Sequence, residues 1–445
     1  MANAREVALT ALSEIINNGA YSNRAINEAL EKNPLNPQNR GFMTEIVYGT
    51  LQHFRLLEFY AEPYFSGKVK SWAKLLVYMT LYQILYLDSV PEHAAISEAV
   101  TIAKKRGGQF TGNVVNGILR EMRRTPLRSL EEVADEASRL GILYSHPDWL
   151  VKLWQSQYGV AETESVLRAN NEKVPLTLRV NTLKMNRKTL QKKLAADGVQ
   201  TEASPLNEEA LIVKKGNPMR TQAFEEGGFY VQDEASILVA KALAPKEGST
   251  VLDACSAPGG KALHAGTIMN GTGTVLANDL HPHKLRLIEE NAQRLGASNI
   301  KTSLLDATIL SSHYDPESLD YIMVDAPCSA LGILRRHPEA KLFKKPEDLD
   351  GVASISEKIL QEAATVLKPG GRLVFSTCTL NRKENDKQVD KFLKARPEFQ
   401  LDTTLANRLP EGLREAAKDG MIQLLPGQHG TDGFFIAALV KKAQA

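Results

Sequence analysis

The chain has 445 residues, 43% of them hydrophobic and 24% charged, with a net charge of +2. That length exceeds what a single hydrophobic core serves and points to two or three domains, while the near-neutral total excludes a uniformly basic nucleic-acid binder, so any basic surface must be local. Three cysteines cannot build a disulfide framework, their spacing fits no zinc pattern and no metal is expected, and free thiols suit a cytoplasmic location.

Residues 1–130 read as all helix. AREVALTALSEIINN, RAINEALEK, RGFMTEIVYGTLQHFRLLEFYAEPY and SWAKLLVYMTLYQILYL carry apolar residues at i, i+3, i+4 spacing, punctuated by Pro34, Pro37, Pro63 and Pro91. The opening MANAREVALT lacks the apolar core of a signal peptide. WAKLLVYMTLYQILYL is too short to span a membrane, reads as amphipathic, and is interrupted by Lys74 and Gln83. Residues 101–128 hold Lys104, Lys105, Arg106, Arg120, Arg123, Arg124 and Arg128 against one acid, Glu121, a local excess of +6. Against a near-neutral total this is a candidate electrostatic footprint for RNA; the bland alternative is a solvated helix face.

Residues 145–235 mix helix with short strands, PLTLRVNTLK and FYVQDEAS among them, and read as a small α+β connector. Arg179, Asn181, Gln232 and Asp233 stand out there as residues that pack or link domains. From 236 to 445 strands alternate with helices: TVLDACS, KALHAGTIM, TVLANDL, HKLRLIEENAQRLG, IKTSLLD, LDYIMVDAP and RLVFSTC. This alternation predicts a doubly wound parallel sheet covered on both faces. There is no internal repeat and no low-complexity tract.

Ligands of such sheets bind at the carboxyl ends of the strands. The first strand ends at Asp253 and runs into ACSAPGGKALH, where Pro258, Gly259 and Gly260 make a tight turn into a helix and let backbone N–H groups approach a ligand. The second ends at Asp279, 26 residues on, an acid able to accept from both hydroxyls of a ribose. The third ends at Asp306, suited to an adenine amino group. Together these describe a nucleoside pocket. The loop is not GxGxxG, so a dinucleotide is not expected, and NGTGTV from Asn270 precedes a strand and reads as a turn.

Cys328 follows the fourth strand and Cys378 the fifth. Neighbouring strands would aim both thiols into one pocket. A lone cysteine is more often a buried apolar residue, but both sit at strand ends beside polar residues. A thiolate can add to an electron-poor ring carbon, and Asp325 can hydrogen-bond a ring nitrogen. Arg335, Arg336, His337 and Lys341 follow Cys328 and are expected near the pocket, on phosphates or the base. Aromatic residues make up only 6%, so no extended stacking platform is indicated, and the target base must be single-stranded or flipped out.

DACSAPGGK, VDAPCSALGILRRHP and STCT together resemble the S-adenosylmethionine-dependent RNA 5-methylcytosine methyltransferases. RGFMTEIVYGTLQHFRLL, PEHAAISEAVTIAKK and FTGNVVNGILR resemble a NusB-like RNA-binding domain, so the resemblance covers nearly the whole chain. STCT stands where STCS is commoner and Ser256 where Ala is common; neither removes a functional group. The resemblance implies an all-α NusB-like domain over 1–130, an α+β connector over 145–235 and a doubly wound, Rossmann-like α/β methyltransferase domain over 236–445. It implies S-adenosyl-L-methionine as cofactor, with Cys255, Ser256, Ala257, Pro258, Gly259, Gly260 and Lys261 along its methionine and ribose, the backbone of Cys255 mattering more than its sulfur. Asp279 would take the ribose hydroxyls, Asp306 would lie near the adenine, and Asp325 between cofactor and base. Cys378 would be the nucleophile and Cys328 would help release product; the reverse assignment, which DNA cytosine-5 methyltransferases follow, stays open. The implied substrate is C5 of a cytosine in 16S ribosomal RNA. Transfer RNA, another ribosomal position, and a non-enzymatic RNA-binding factor remain alternatives. No membrane and no protein partner are implied.

Overall fold

The computed structural model describes residues 3–443, so the outermost residues of the first and last expected domains lie outside it. The apolar spacing of the first third produces α1 (Ala4–Asn18), α2 (Ser22–Lys32), α3 (Pro37–Gln52), α4 (Phe54–Ala61), α5 (Ser71–Tyr86) and α6 (Glu92–Arg124). Asn3 and Asn36 cap α1 and α3 by accepting from first-turn N–H groups, worth about 1 kcal/mol each. The long run expected from Arg40 to Tyr64 is broken at His53, between α3 and α4.

The amphipathic reading of SWAKLLVYMTLYQILYL is corrected by its surroundings. α5 buries every residue from Leu75 to Gln83, because α1, α3, α4 and α6 all pack on it. A helix enclosed on all sides has no polar face to keep. Buried Gln83 is satisfied internally: its amide donates to Met79 O at 2.8 Å and accepts from Arg5 Nε at 2.7 Å. α7 (Glu136–Leu143), α8 (Asp148–Tyr158) and α9 (Val160–Ala169) join these helices in a compact unit, Met1–Glu172 with Leu334–Pro346. Of the expected 145–235 connector, α8 and α9 lie in this unit, and its strands with the helices between them lie in the next.

The second unit is Lys173–Ile333 with Glu347–Ala445. It opens with β1 (Leu176–Val180), α10 (Arg187–Ala196), β2 (Gln200–Ala203), β3 (Ala210–Lys215), α11 (Gln222–Glu225) and β4 (Phe229–Val231). Their strands form an antiparallel sheet in the order β2-β3-β1-β4. Then come α12 (Glu234–Leu243), β5 (Thr250–Asp253), α13 (Gly260–Ile268), β6 (Thr274–Asp279), α14 (Pro282–Leu295), β7 (Ile300–Leu304) and β8 (Leu319–Asp325). After the one-turn helix α15 (Ala340–Phe343), which lies in the first unit, follow α16 (Asp348–Val366), β9 (Leu367–Thr377), α17 (Asp386–Ala395), β10 (Phe399–Leu401), α18 (Glu411–Arg414), β11 (Met421–Leu424) and β12 (Phe434–Lys441).

The main sheet runs β10-β12-β9-β8-β5-β6-β7, with β11 paired to β12. β5 through β9 are parallel to one another, and the fourth and fifth expected strands, β8 and β9, are neighbours. The all-parallel expectation is corrected at one edge, where β12 runs antiparallel beside β9 and pairs with β10 and β11 on its other side. Strand alternation sorts the core into two layers. Val251, Val275, Met323 and Val374 pack with α12 and α13; Leu252, Ile322, Val324 and Phe375 pack with α16 and α17. With both faces covered, the central strands carry short apolar runs such as Val251–Leu252, Tyr321–Val324 and Leu373–Phe375. No helix among the described residues is long and apolar enough to cross a membrane.

Candidate active site

Five parallel strands end together, and each end carries an acid or a thiol. β5 ends at Asp253, β6 at Asp279 and β8 at Asp325; Asp306 lies two residues past β7 and Cys378 one past β9. Pairing of Asp325 with Ser376 across β8 and β9 brings the thiol loops side by side.

The loop from β5 into α13 is pinned from several sides. Ser256 N donates to Asn278 O at 2.7 Å, Ala257 N to Asp279 Oδ2 at 3.3 Å, and Gly259 N to Ser256 O at 2.7 Å. Gly259 sits at φ +99°, which suits glycine, and a Cβ on Gly260 would stand 2.8 Å from the Tyr230 ring. The antiparallel sheet holds the loop's far end: buried Arg179 donates to Gly260 O and to Gln232 Oε1, both at 2.7 Å. Asn181 likewise donates to Gly227 O and Leu295 O at 2.9 Å. Arg179, Asn181 and Gln232 are thus packing residues that join the connector strands to the main sheet. The NGTGTV segment is the expected turn, with Asn270, Gly271 and Gly273 at positive φ before β6.

Asp279 is 6% exposed; its Oδ1 accepts from His281 N at 3.0 Å, and Lys284 Nζ lies 3.7 Å away. Asp306 uses Oδ1 to cap a short helical turn, accepting from Thr308 N and Oγ1 at 2.8 Å. Asp253 is fully buried, and neither of its oxygens has a hydrogen-bond partner of good geometry. Burial, reinforced by Asp325 and opposed by Lys261, pushes its pKa up to about 7. Ser256 Oγ and Asn278 Nδ2 are also buried without a partner. Cys255 is raised too, by burial first and then by the surrounding carboxylates, which leaves it a neutral thiol.

Asp325 is the hub on the other side. Its Oδ2 accepts from Lys261 Nζ and its Oδ1 from Ser376 Oγ, at 2.7 and 2.8 Å. Burial pulls the Lys261 ammonium down, but the Asp325 charge and hydrogen bond outweigh it and hold the pKa above its usual value. Cys328 Sγ and Cys378 Sγ are 3.5 Å apart. That contact and burial raise the Cys378 pKa well above an ordinary thiol, so a base must take its proton before it attacks.

The basic residues of α6 straddle a break at Gly108 (φ 80°, ψ 176°). Lys104, Lys105 and Arg106 lie before it; Arg120, Arg123 and Arg124 lie near the end, and all six are exposed. Lys105 and Arg123 each pair with an acid, Glu6 and Glu92, at 2.9 Å, and Arg106 lies over the Trp72 ring at 5.1 Å. Beyond Cys328 the structure corrects the expectation for Lys341. Its Nζ is buried in the first unit, donating to Gln52 O and Asn171 Oδ1 at 2.8 Å, and burial lowers its pKa to about 7. It offers no free charge to a phosphate. Arg335 is buried at 7% exposure, Arg336 is half-buried, and His337 faces Glu339 at 3.7 Å. Among the described residues no group of metal-ligating side chains occurs. Sequence reasoning did not assign Asp253 a ligand or pair Lys261 with Asp325. The signal for the first was present, an acid closing an otherwise apolar strand; the second needs the fold.

Comparison with known proteins matches three successive segments of the chain. Residues 2–124 match the NusB family, 146–220 the ferredoxin-like domain of RsmF/B-like methyltransferases, and 240–440 the family described as 16S rRNA methyltransferase RsmB/F. The chain is 44% identical to the probable ribosomal RNA small subunit methyltransferase B of Bacillus subtilis over 440 residues, 98% of each chain. It is 32% identical to the ribosomal RNA small subunit methyltransferase B of Vibrio cholerae, covering 99% of this chain and 98% of that one. The crystal structure of PH0851 matches with a TM-score of 0.80 at 25% identity, over 99% of both chains. The helical domain is NusB-like, the antiparallel sheet belongs to a ferredoxin-like connector, and the mixed sheet is a Rossmann-like methyltransferase domain.

Proposed function

The chain belongs to the ribosomal RNA small subunit methyltransferase B family, and from that premise we propose that it methylates C5 of a cytosine in 16S ribosomal RNA, in the cytoplasm, through a covalent bond between Cys378 and C6 of the base. The observation that carries this reading is the pair of thiols 3.5 Å apart at two strand ends, beside Asp325. S-adenosylmethionine, when bound, supplies a methyl group as a sulfonium electrophile. The residues fit it. The unpartnered, buried Asp253 carboxylate suits the cofactor's ammonium, the loop Cys255–Lys261 its methionine and ribose, Asp279 the ribose hydroxyls, and Asp306 the adenine amino group. Leu280 and Ile309, 56% and 48% exposed, follow those two acids and supply apolar surface for the ring.

Cytosine C5 is a poor nucleophile until the Cys378 thiolate adds at C6 and makes it enamine-like. Proton donation from Asp325 to N3 stabilises the negative charge that develops there as the thiolate adds, with Lys261 and Ser376 holding the carboxyl group in place. After methylation a base removes the C5 proton and the Cys378 thiol is eliminated, Cys328 assisting. Purified protein incubated with S-adenosylmethionine and a 16S ribosomal RNA transcript should yield 5-methylcytosine at a defined position. Methylation of transfer RNA alone, or retention of NAD in place of S-adenosylmethionine, would overturn the reading.

Two further outcomes are expected. Asp253 must ionise to hold an ammonium, so cofactor affinity should rise with pH toward about 7, by up to about tenfold per unit. The sign for stability is opposite. A carboxyl raised from about 4 to about 7 contributes stability at low pH that is lost as pH rises through 7, and Asp253→Asn should abolish both trends in calorimetry and thermal melts. RNA is proposed to contact Lys104, Lys105, Arg106, Arg120, Arg123 and Arg124, with Arg335, Arg336 and His337 as further candidate contacts. Replacing Arg120, Arg123 and Arg124 with Ala should weaken RNA binding and lower the slope of log affinity against log salt by up to about 2–3, with cofactor affinity unchanged. An unchanged slope would make the cluster a solvated surface.

A further inference from the structure

We propose that Glu384 is a positioning residue that holds Cys328 and Cys378 in register, a role that rests on the two-thiol reading above. Glu384 is 1% exposed, just ahead of α17. Its Oε2 accepts from Ser329 N at 2.7 Å; its Oε1 accepts from Ser329 Oγ at 2.6 Å and from Asn381 Nδ2 at 2.8 Å. Ser329 follows Cys328, and its hydroxyl also meets Thr379 Oγ1, the residue after Cys378, at 2.7 Å. One carboxylate thus ties the loop after β8 to the loop after β9. A desolvated carboxylate is tolerated only when donors fill its lone pairs, and here three donors do.

Neighbouring contacts make the tie rigid. Fully buried Asn385 donates to Thr379 O at 3.0 Å and accepts from Thr377 Oγ1 at 2.6 Å. Gly332 N donates to Cys378 O at 2.9 Å, and Gly433 N to Gly332 O at 2.8 Å. A Cβ on Gly332 would lie 2.0 Å from Gly433 O, so only glycine allows this approach. The contacts of Glu384 are to the residues beside the thiols, and neither sulfur is among its partners. It therefore acts through Ser329 and Thr379. An apolar residue would fill the same space without fixing the two loops against each other, and displacement of a reacting group by about 1 Å costs about 10²-fold in rate.

The test compares full-length wild type, Glu384→Gln and Glu384→Ala, with two readouts. The first needs no RNA. Diamide accepts two electrons and two protons from the two thiols, becoming the hydrazine and leaving one Cys328–Cys378 disulfide, whose linked peptide is followed by mass spectrometry. Linking should be fastest in wild type, slower in Glu384→Gln and slowest in Glu384→Ala, by about tenfold or more. The second is methylation of a 16S ribosomal RNA transcript: kcat should fall in the same order, with KM for S-adenosylmethionine unchanged. Glu384→Gln keeps the size and most of the hydrogen bonds, so it carries the test if Glu384→Ala does not fold. Equal linking rates in Glu384→Gln and wild type overturn the proposal. So does a loss of kcat in Glu384→Gln matched by equal losses in cofactor affinity and melting temperature, which marks a merely structural role. Slower linking in the variants, in a protein whose wild type methylates no cytosine, leaves the positioning role standing and removes the methyltransferase reading.

Discussion

Cys378→Ala should abolish methylation and leave no covalent adduct, because nothing then attacks C6. Cys328→Ala should behave differently. The first thiol can still add and the methyl can still transfer, but release is impaired, so a protein–RNA species should accumulate that survives denaturing electrophoresis and disappears when Cys378 is also replaced. The 3.5 Å separation of the sulfurs adds a pH signature. The Cys328 contact is the leading cause of the raised Cys378 pKa, ahead of burial. Removing it should let Cys378 ionise more readily, so adduct formation by Cys328→Ala should reach its plateau at lower pH than methylation by wild type. An adduct with Cys378→Ala but not with Cys328→Ala would reverse the assignment. If neither variant gives an adduct, a 5-fluorocytosine substrate, whose C5 fluorine blocks elimination, traps whichever thiol attacks.

Asp325→Ala should be the most damaging single carboxylate replacement, in fold stability as well as in rate. Lys261 is 15% exposed, and Asp325 is its partner at 2.7 Å. Leaving a buried ammonium unpaired costs about 3–5 kcal/mol, and the Ser376 hydroxyl loses its acceptor as well. That deficit should shrink as pH rises, because without Asp325 burial depresses the Lys261 pKa and the lysine sheds the charge that burial penalises. Asp325→Asn separates the two effects. It keeps an acceptor for Lys261 and Ser376 and so should retain more of the fold, while methylation should fall by about 10²–10³ for loss of the group that stabilises charge at N3. Thermal melts from pH 6 to 9 and single-turnover methylation check both. Full activity in folded Asp325→Asn would remove Asp325 from the chemistry.

Local chemistry sufficed for much of this molecule. Strand and helix periods differ, so alternation in residues 236–377 was enough to predict β5 through β9 and their helices. Ligand sites gather at strand ends, so Asp279, Asp325, Cys328 and Cys378 could be grouped before any coordinates. The turn at Gly259 and Gly260 was legible because few backbones make so tight an entry to a helix. Tertiary structure decided what depends on partners far along the chain. α5 is buried on all sides because four helices surround it, which its own periodicity could not say. β12 is as apolar as a parallel strand, and only its pairing with β9, β10 and β11 sets its direction. Charge was the least legible property. Lys341 looked like a phosphate contact and is buried on Gln52 and Asn171; Lys261 was read as a cofactor contact with no sign of its bond to Asp325; Glu384 drew no reading at all and lies buried between two loops. A side chain's charge is written in the sequence. Whether water or another part of the chain answers that charge is settled only when distant segments meet.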